Sequence, residues 1–197
     1  RKEIKSPDGK IKVIVEAKEN LFYSVRYENK SLLLPSLINL LLENGIDISG
    51  KIDLKKATIR SVNSIMISPV PEKRKTIPDV YSELTIRFKQ TFSIIFRVYN
   101  DGVAYRFLSH IKDSIIIKQE IASFNFPANH LLYYPEVVKR DNADIYHTSF
   151  EEPYKLKPLD SLTSSNFCFT PVLVAPSVGP KIIITESDLE DYPGMFI

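Results

Sequence analysis

Apolar and polar side chains alternate with a period of two along most of this chain. In the stretch 10–17, for example, Ile11, Val13 and Val15 are separated by single residues. Because successive side chains of a β-strand point to opposite faces, this alternation predicts strands with one face in a core. The same criterion predicts strands at 10–17, 21–28, 31–42, 56–68, 84–89, 114–126, 167–174 and 181–186.

Three short segments predict tight turns between strands. Two alternating runs flank Asn100-Asp101-Gly102, and Asp-Gly readily takes the positive φ angles of a hairpin turn, so 91–109 is predicted to be an antiparallel hairpin. Pro7-Asp8-Gly9 and Asn44-Gly45 predict two further turns.

Helical spacing of apolar residues is not sustained anywhere in the sequence. The nearest competitor is Leu32–Leu42, where Pro35 disfavours a continuous helix. We therefore expect an all-β fold, an antiparallel sandwich, and we expect residues 1–197 to form one domain. From about Pro135 to Ser165 the alternation fades, which predicts a long surface excursion of the kind that is often functional.

Composition narrows the possible partners. The 197 residues include 26 basic and 24 acidic side chains, a net charge of +2, which argues against a nucleic-acid partner or an anionic membrane surface. No apolar run reaches the roughly 18 residues of a membrane-spanning helix. The single cysteine, Cys168, cannot form an internal disulfide. Because the chain starts at Arg1 rather than Met, we expect that a preceding segment has been removed.

Carboxylates are the strongest chemical candidates. Glu151-Glu152 form one small cluster, and Glu186, Asp188, Glu190 and Asp191 form another after the last predicted strand. Clustered carboxylate oxygens suit Ca²⁺, although an acidic turn can equally serve solubility or cap backbone donors.

Histidines and tyrosines give weaker signals. The three histidines, His110, His130 and His147, have no metal-ligand spacing and belong to no recognisable nucleophile motif, so no catalytic triad is predicted. With tryptophan absent, Tyr133, Tyr134, Tyr146 and Tyr154 are the available sugar-stacking surfaces, although packing is the commoner role of such residues.

Four segments resemble glycoside hydrolase family 97. Residues 184–195, ITESDLEDYPGM, resemble a segment near the end of that family's N-terminal domain. Ser6-Pro7-Asp8-Gly9-Lys10 resembles the family's opening, and 100–107 (NDGVAYRF) resembles its hairpin. Residues 146–154, which include Glu151 and Glu152, are similar to a further region of the family. The resemblance runs over essentially the whole chain.

The resemblance implies a galactose-mutarotase-like β-super-sandwich that is one part of a larger enzyme. Family members carry catalytic carboxylates for α-glucosides or α-galactosides on a (β/α)₈ barrel, which needs about 250 residues. The resemblance therefore implies no catalytic residues in this chain, and the domain alone is expected to be inactive. The implied partners are the barrel of the same polypeptide and an α-linked oligosaccharide, and the implied location is the periplasm or the exterior of the cell.

The resemblance also implies one metal ligand. In the family, a glutamate of the N-terminal domain reaches the active site and helps to bind Ca²⁺, and the position that matches it is Glu186. Asp188 and Asp191 are the rival positions. Most ligands would come from the barrel, so we expect the domain alone to hold Ca²⁺ weakly or not at all.

Two alternatives stay open at this point. The chain could be an independent carbohydrate-binding module that uses Tyr133, Tyr134 and Tyr146. It could also be a mutarotase-like epimerase, which needs an acid and a base on opposite sides of the sugar, drawn from the three histidines with Glu151 or Glu186.

Overall fold

The computed structural model describes residues 1–45, 52, 54–71, 73–88, 91–140, 144–190 and 192–197. The strands in these residues are β1 (Lys2–Lys5), β2 (Ile11–Ala17), β3 (Leu21–Tyr27), β4 (Lys30–Leu42), β5 (Thr58–Ile67), β6 (Thr76–Phe88), β7 (Phe92–Val98), β8 (Val103–Ser109), β9 (Ile117–Ala122), β10 (Leu131–Tyr134), β11 (Lys155–Pro158), β12 (Val172–Ala175) and β13 (Ile182–Ile184). Short 3₁₀ turns cover Leu54–Lys56 and Leu159–Ser161. The predicted all-β, antiparallel fold class is confirmed.

The chain divides into two compact units. The first, Arg1–Pro127, holds a five-stranded sheet in the order β1-β2-β3-β4-β9 and a four-stranded sheet in the order β5-β6-β7-β8. The second, Ala128–Ile197, holds a four-stranded sheet in the order β11-β10-β12-β13. Every neighbouring pair of strands is antiparallel. The expectation of one domain over 1–197 stays a prediction.

The core of the first unit lies between its two sheets. Val13 and Val15 of β2 share one buried cluster with Leu84 and Ile86 of β6, and all four side chains are fully buried. Burying a side chain of this size contributes about 1.5–3 kcal/mol. The period-two pattern of the sequence is therefore the pattern of this inter-sheet core.

The predicted turns are present, but the expectation of positive φ angles at Asp101 and Gly102 is wrong, because neither residue has one. In the β7–β8 hairpin, Val98 pairs with Val103 and the Tyr99 amide donates to the Gly102 carbonyl at 2.8 Å. Gly9 and Gly45 both have positive φ, as turns of this kind require.

Pro35 lies inside β4 rather than breaking a helix. The register between β3 and β4 shifts between Tyr23 and Val25, and Pro35 falls on the β4 side of this irregularity. Proline has no N–H to contribute to a ladder, so a bulge is one of the few places where a strand accepts it.

Some predicted boundaries are wrong. Strand β6 begins at Thr76 rather than at 84. The part that the prediction left out includes the first half of the strand, which pairs only with β5 in the described residues. Of the predicted strand 167–174, only Val172–Val174 lies in β12. Strands β1, β10 and β11 were not predicted, since short strands carry too few residues to show an alternation.

Strand β5 forms an open edge of its sheet. It pairs only with β6, and nearly all its residues are exposed. Before Ser82, the described residues of β6 have no pairing with β7, so the half of the β5–β6 hairpin that contains Thr76 and Ile67 is two strands wide. Ile65, Met66 and Ile67 lie exposed on this part.

Glu83 is a buried charge in the β5–β8 sheet. Arg60 Nε on β5 lies 2.6 Å from one carboxylate oxygen, and Arg97 Nε on β7 lies 3.0 Å from the other. The Arg97 guanidinium also lies 4.6 Å from the centre of the Tyr81 ring. The hydrogen bond from Arg60, followed by that from Arg97, lowers the pKa of Glu83 although burial opposes this shift.

Among the described residues, no helix has the length and apolarity to cross a membrane.

Glu83→Gln is expected to lower the free energy of unfolding by about 1–3 kcal/mol, because a buried charge-assisted pair of hydrogen bonds is lost while Arg60 is largely exposed. The pKa of Glu83 is lowered by folding, so its contribution is present above the ordinary carboxyl range and disappears as pH falls through the folded pKa. Urea denaturation at neutral and acidic pH measures both effects.

The matched control is Glu3→Gln, which removes a more exposed ion pair to Lys12. We expect the control to change stability by less than about 1 kcal/mol. Equal effects of the two substitutions at neutral pH contradict the assignment.

Candidate metal-ligating site

Glu186 lies just beyond β13 in the second unit, and both oxygens of its carboxylate are engaged. Thr170 Oγ1 donates to Oε1 at 2.9 Å, and the Met195 backbone amide donates to Oε2 at 2.7 Å. A Cβ placed on Gly194 would lie 3.6 Å from Oε1, so the 192–195 turn passes beside the carboxylate. The side chain is half-buried and held in one direction.

These hydrogen bonds fit a metal-ligand role. An ionised carboxylate offers about four acceptor positions, and the two hydrogen bonds use two of them. A hard oxygen therefore stays available to a cation while Thr170 and Met195 fix its orientation. The same contacts also give Glu186 a structural role, because they join β13, the segment before β12 and the C-terminal turn.

The C-terminal residues pair with the segment that carries Thr170. Cys168 and Ile197 exchange two backbone hydrogen bonds of 2.9 and 2.8 Å, and Phe169 bridges to Phe196. The Cys168 thiol is buried, and burial raises its pKa to about 11, which keeps it protonated at neutral pH.

An aromatic cluster supports this pairing. The Phe167 and Phe196 rings stack at a centroid distance of 4.8 Å, and Tyr146 meets both rings edge-on at 5.4 Å. Phe150 contacts Phe196 at 5.7 Å. Tyr146 and Phe150 belong to the predicted excursion, so its middle part is anchored beside the C-terminal segment.

A second anchor of the excursion is Glu136. Lys155 and Asn166 both donate to its carboxylate, and the hydrogen bond from Lys155 is the main reason that its pKa is lowered. Further along, Arg140 pairs with Glu152 at 3.0 Å. The excursion thus contains short elements held by ion pairs, and its residues 141–143 lie outside the described part.

One rival metal position, Asp188, lies in the described residues. Asp188 is exposed and has a positive φ, which aspartate tolerates in turns. Asp191 lies outside the described residues. Among the described residues, no group of three or more His, Cys, Asp or Glu side chains is placed to hold a metal ion. Of the carboxylates predicted as possible metal ligands, Glu186 accepts hydrogen bonds on both of its oxygens.

The histidines are placed separately. His110 Nε2 lies 2.7 Å from Ser93 Oγ in the first unit. His147 Nδ1 lies 2.7 Å from Asp144 Oδ2 on an exposed part of the excursion. The His130 carbonyl accepts the Leu159 amide beside the 3₁₀ turn. No contact joins these histidines to Glu151 or Glu186 in the structure as described.

Of the four tyrosines available as a stacking surface, Tyr134 is buried, whereas Tyr133, Tyr146 and Tyr154 are exposed and their role stays a prediction. Tyr134 is 1% exposed and Tyr133 points from the opposite face of β10, so Tyr134 is excluded as a sugar platform. Tyr146 packs in the aromatic cluster, and the Tyr154 hydroxyl donates to the Pro171 carbonyl at 2.8 Å.

The sequence singled out Glu186, whose role as a metal ligand stays a prediction, and did not indicate its hydrogen-bond partners. Thr170 precedes Glu186 by a separation that no local motif encodes, and the Met195 donor is a backbone amide that any residue could supply. Residues 192–195 (YPGM) belong to the segment that resembles the family. In the structure, they bring the Met195 amide to the Glu186 carboxylate.

Comparison with known proteins defines the class. Residues 4–197 match the family model described as glycosyl-hydrolase 97 N-terminal. The chain is 32% identical over 195 residues to a retaining alpha-galactosidase of Bacteroides thetaiotaomicron, covering 98% of this chain and 29% of that protein. This chain belongs to the glycosyl-hydrolase 97 N-terminal family. It spans less than a third of the length of the curated relative.

Solved structures agree on the fold. A glycoside hydrolase family 97 enzyme from Pseudoalteromonas sp. strain K8, in complex with acarbose, superimposes with a TM-score of 0.78 at 23% identity, covering 99% of this chain and 30% of that one. A beta-arabinopyranosidase superimposes with a TM-score of 0.74 at 24% identity, covering 87% of this chain and 29% of that one. These similarities confirm the fold.

Glu186→Ala is expected to loosen the C-terminal pairing, because Met195 N–H and the Thr170 hydroxyl lose a charged acceptor worth about 1.5–3 kcal/mol. Amide exchange at Cys168 and Ile197 should accelerate by at least about tenfold, measured by hydrogen–deuterium exchange. The exposed neighbour Glu190 supplies the control, Glu190→Ala, for which exchange should not change. Equal exchange in both variants would contradict the structural role of Glu186.

Proposed function

We propose that this chain is the non-catalytic N-terminal domain of an enzyme acting on α-galactosides or α-glucosides. In this proposal, the domain packs on a (β/α)₈ catalytic barrel of the same polypeptide, and Glu186 supplies one ligand to a Ca²⁺ ion in the active site. The family match over residues 4–197 supports the domain assignment. The relative at 32% identity is a retaining alpha-galactosidase, which favours α-galactosides of the two substrate classes.

The observation that carries the calcium proposal is the orientation of the Glu186 carboxylate. Calcium takes six to eight oxygen ligands, and a carboxylate is among its preferred donors. Because the described residues contain no group of three or more His, Cys, Asp or Glu side chains placed to hold a metal ion, the remaining ligands belong to the barrel in this proposal. The domain contributes one oxygen at the boundary between the two parts.

Thr170 and Met195 serve as positioning residues. Their hydrogen bonds hold the two carboxylate oxygens, so the ligand does not have to be ordered when the ion binds. A bound calcium ion would supply positive charge next to the sugar. In this chain, the corresponding task is to hold the Glu186 carboxylate pointed in one direction.

We also propose a periplasmic or secreted location for the whole enzyme. This rests on the family resemblance, in which the members degrade glycans outside the cytoplasm. The lone buried Cys168 needs no disulfide partner in either location.

In the full-length enzyme, Glu186→Gln is expected to lower kcat/KM on a nitrophenyl α-galactoside by about 10–100-fold and to weaken calcium binding, because an amide is a poorer calcium ligand than a carboxylate. Steady-state kinetics across a calcium titration after chelation measures both quantities. Glu190→Gln is the matched control and should retain activity. Kinetics that are insensitive both to Glu186→Gln and to chelation contradict the calcium assignment.

The chain of residues 1–197 alone is expected to release no nitrophenol from α-glucoside or α-galactoside substrates, because the catalytic carboxylates belong to the barrel in this proposal. The full-length enzyme, assayed in parallel, is the positive control. Turnover by residues 1–197 that follows the protein through purification contradicts the non-catalytic role.

A further inference from the structure

The β10–β13 sheet of the second unit is apolar on both faces. On its inner face, Leu132 and Tyr134 of β10 and Val172 and Val174 of β12 are buried. On its other face, which we name the outer face, the residues that share one side across the four strands are all apolar: Leu156, Pro158, Leu131, Tyr133, Leu173, Ala175 and Ile183. A sheet that faces water on one side normally alternates apolar and polar residues, so this pattern is that of a sheet covered on both sides.

The outer face is open in the structure. Ile183 is 66% exposed, Leu156 50% and Tyr133 38%. These residues form one row, since Tyr133 pairs with both Leu156 and Leu173, and Leu173 pairs with Ile183. Three spacings of about 4.8 Å make this row roughly 14 Å wide, which is broader than the scattered apolar side chains of an ordinary surface.

Strand β11 shows the pattern most clearly. Its sequence is Lys-Leu-Lys-Pro, with Leu156 and Pro158 on the outer face and Lys155 and Lys157 on the inner side of the sheet edge. Lys155 is bound there by Glu136. If the outer face were permanently exposed to solvent, the lysines of β11 would be expected on that face.

The position of the chain end indicates what covers the outer face. Ile197 pairs with Cys168, and Cys168 bridges to Glu136, two positions beyond the end of β10. In an enzyme of this family, the polypeptide beyond residue 197 therefore leaves beside the β10–β13 sheet. A tethered surface acts at an effective concentration of about millimolar, which favours it over a second, untethered copy.

We propose that the outer face is the docking surface for an apolar surface of the catalytic portion of the same polypeptide. This inference rests on the proposed function, in which such a portion exists. Ile183 of β13 lies three residues before Glu186 in the sequence, so the outer face and the proposed calcium ligand are carried by the same short segment of chain.

The test measures burial of the outer face in the full-length enzyme. Ile183→Cys is compared with Val178→Cys, a matched aliphatic position that is 80% exposed and lies outside the β10–β13 sheet. Alkylation by a maleimide, followed by peptide mass spectrometry, should be at least tenfold slower at position 183 than at 178. Equal rates in folded, monomeric enzyme overturn the proposal. Leu156→Cys repeats the measurement on β11 if Ile183→Cys does not fold.

A photocrosslinking amino acid in place of Tyr133 identifies the occupant. Crosslinks within one polypeptide to peptides beyond residue 197 support the proposal. Crosslinks between two copies, or protection at position 183 that disappears on dilution to monomers, assign the face to self-association and overturn it. Neither readout uses activity, so an enzyme that fails the calcium or α-galactoside tests can still pass this one.

Discussion

The first unit depends on one constraint, which is that two antiparallel sheets must each turn an apolar face inward. Val13 and Val15 meet Leu84 and Ile86 only if both strands keep a period of two and the correct register. A slip by one residue would exchange these valines for Lys12 and Ile14, or Ile86 for a charged neighbour. The one charge placed deep in this unit, Glu83, is tolerated because arginines on both neighbouring strands bind it.

The second unit is organised around its chain end rather than around a broad core. Phe196 stacks on Phe167, Ile197 pairs with Cys168, and the Met195 amide binds Glu186. The candidate ligand and the last residues of the chain are therefore parts of one arrangement. In the proposed enzyme, this arrangement makes the orientation of a ligand depend on the same residues that lead toward the catalytic barrel.

The sequence predicted the features that local physics controls. Alternation placed β2, β3, β4 and the β7–β8 hairpin, because side-chain burial there repeats every second residue. It did not place β10 and β11, because Leu131–Tyr134 is apolar on both sides and Lys155–Pro158 is too short. Glu186 was found through the family resemblance, whereas Thr170 could be assigned only from contacts between distant segments.

The open edge of the β5–β8 sheet has a practical consequence for handling the protein. Strand β5 offers unpaired backbone donors and acceptors along Thr58–Ile67, and its distal half carries Ile65, Met66 and Ile67 without a charged residue among them. Such an edge can add a strand from another molecule, which is how edge-to-edge aggregation begins. Association through this edge would therefore depend on a few residues far in sequence from Glu186.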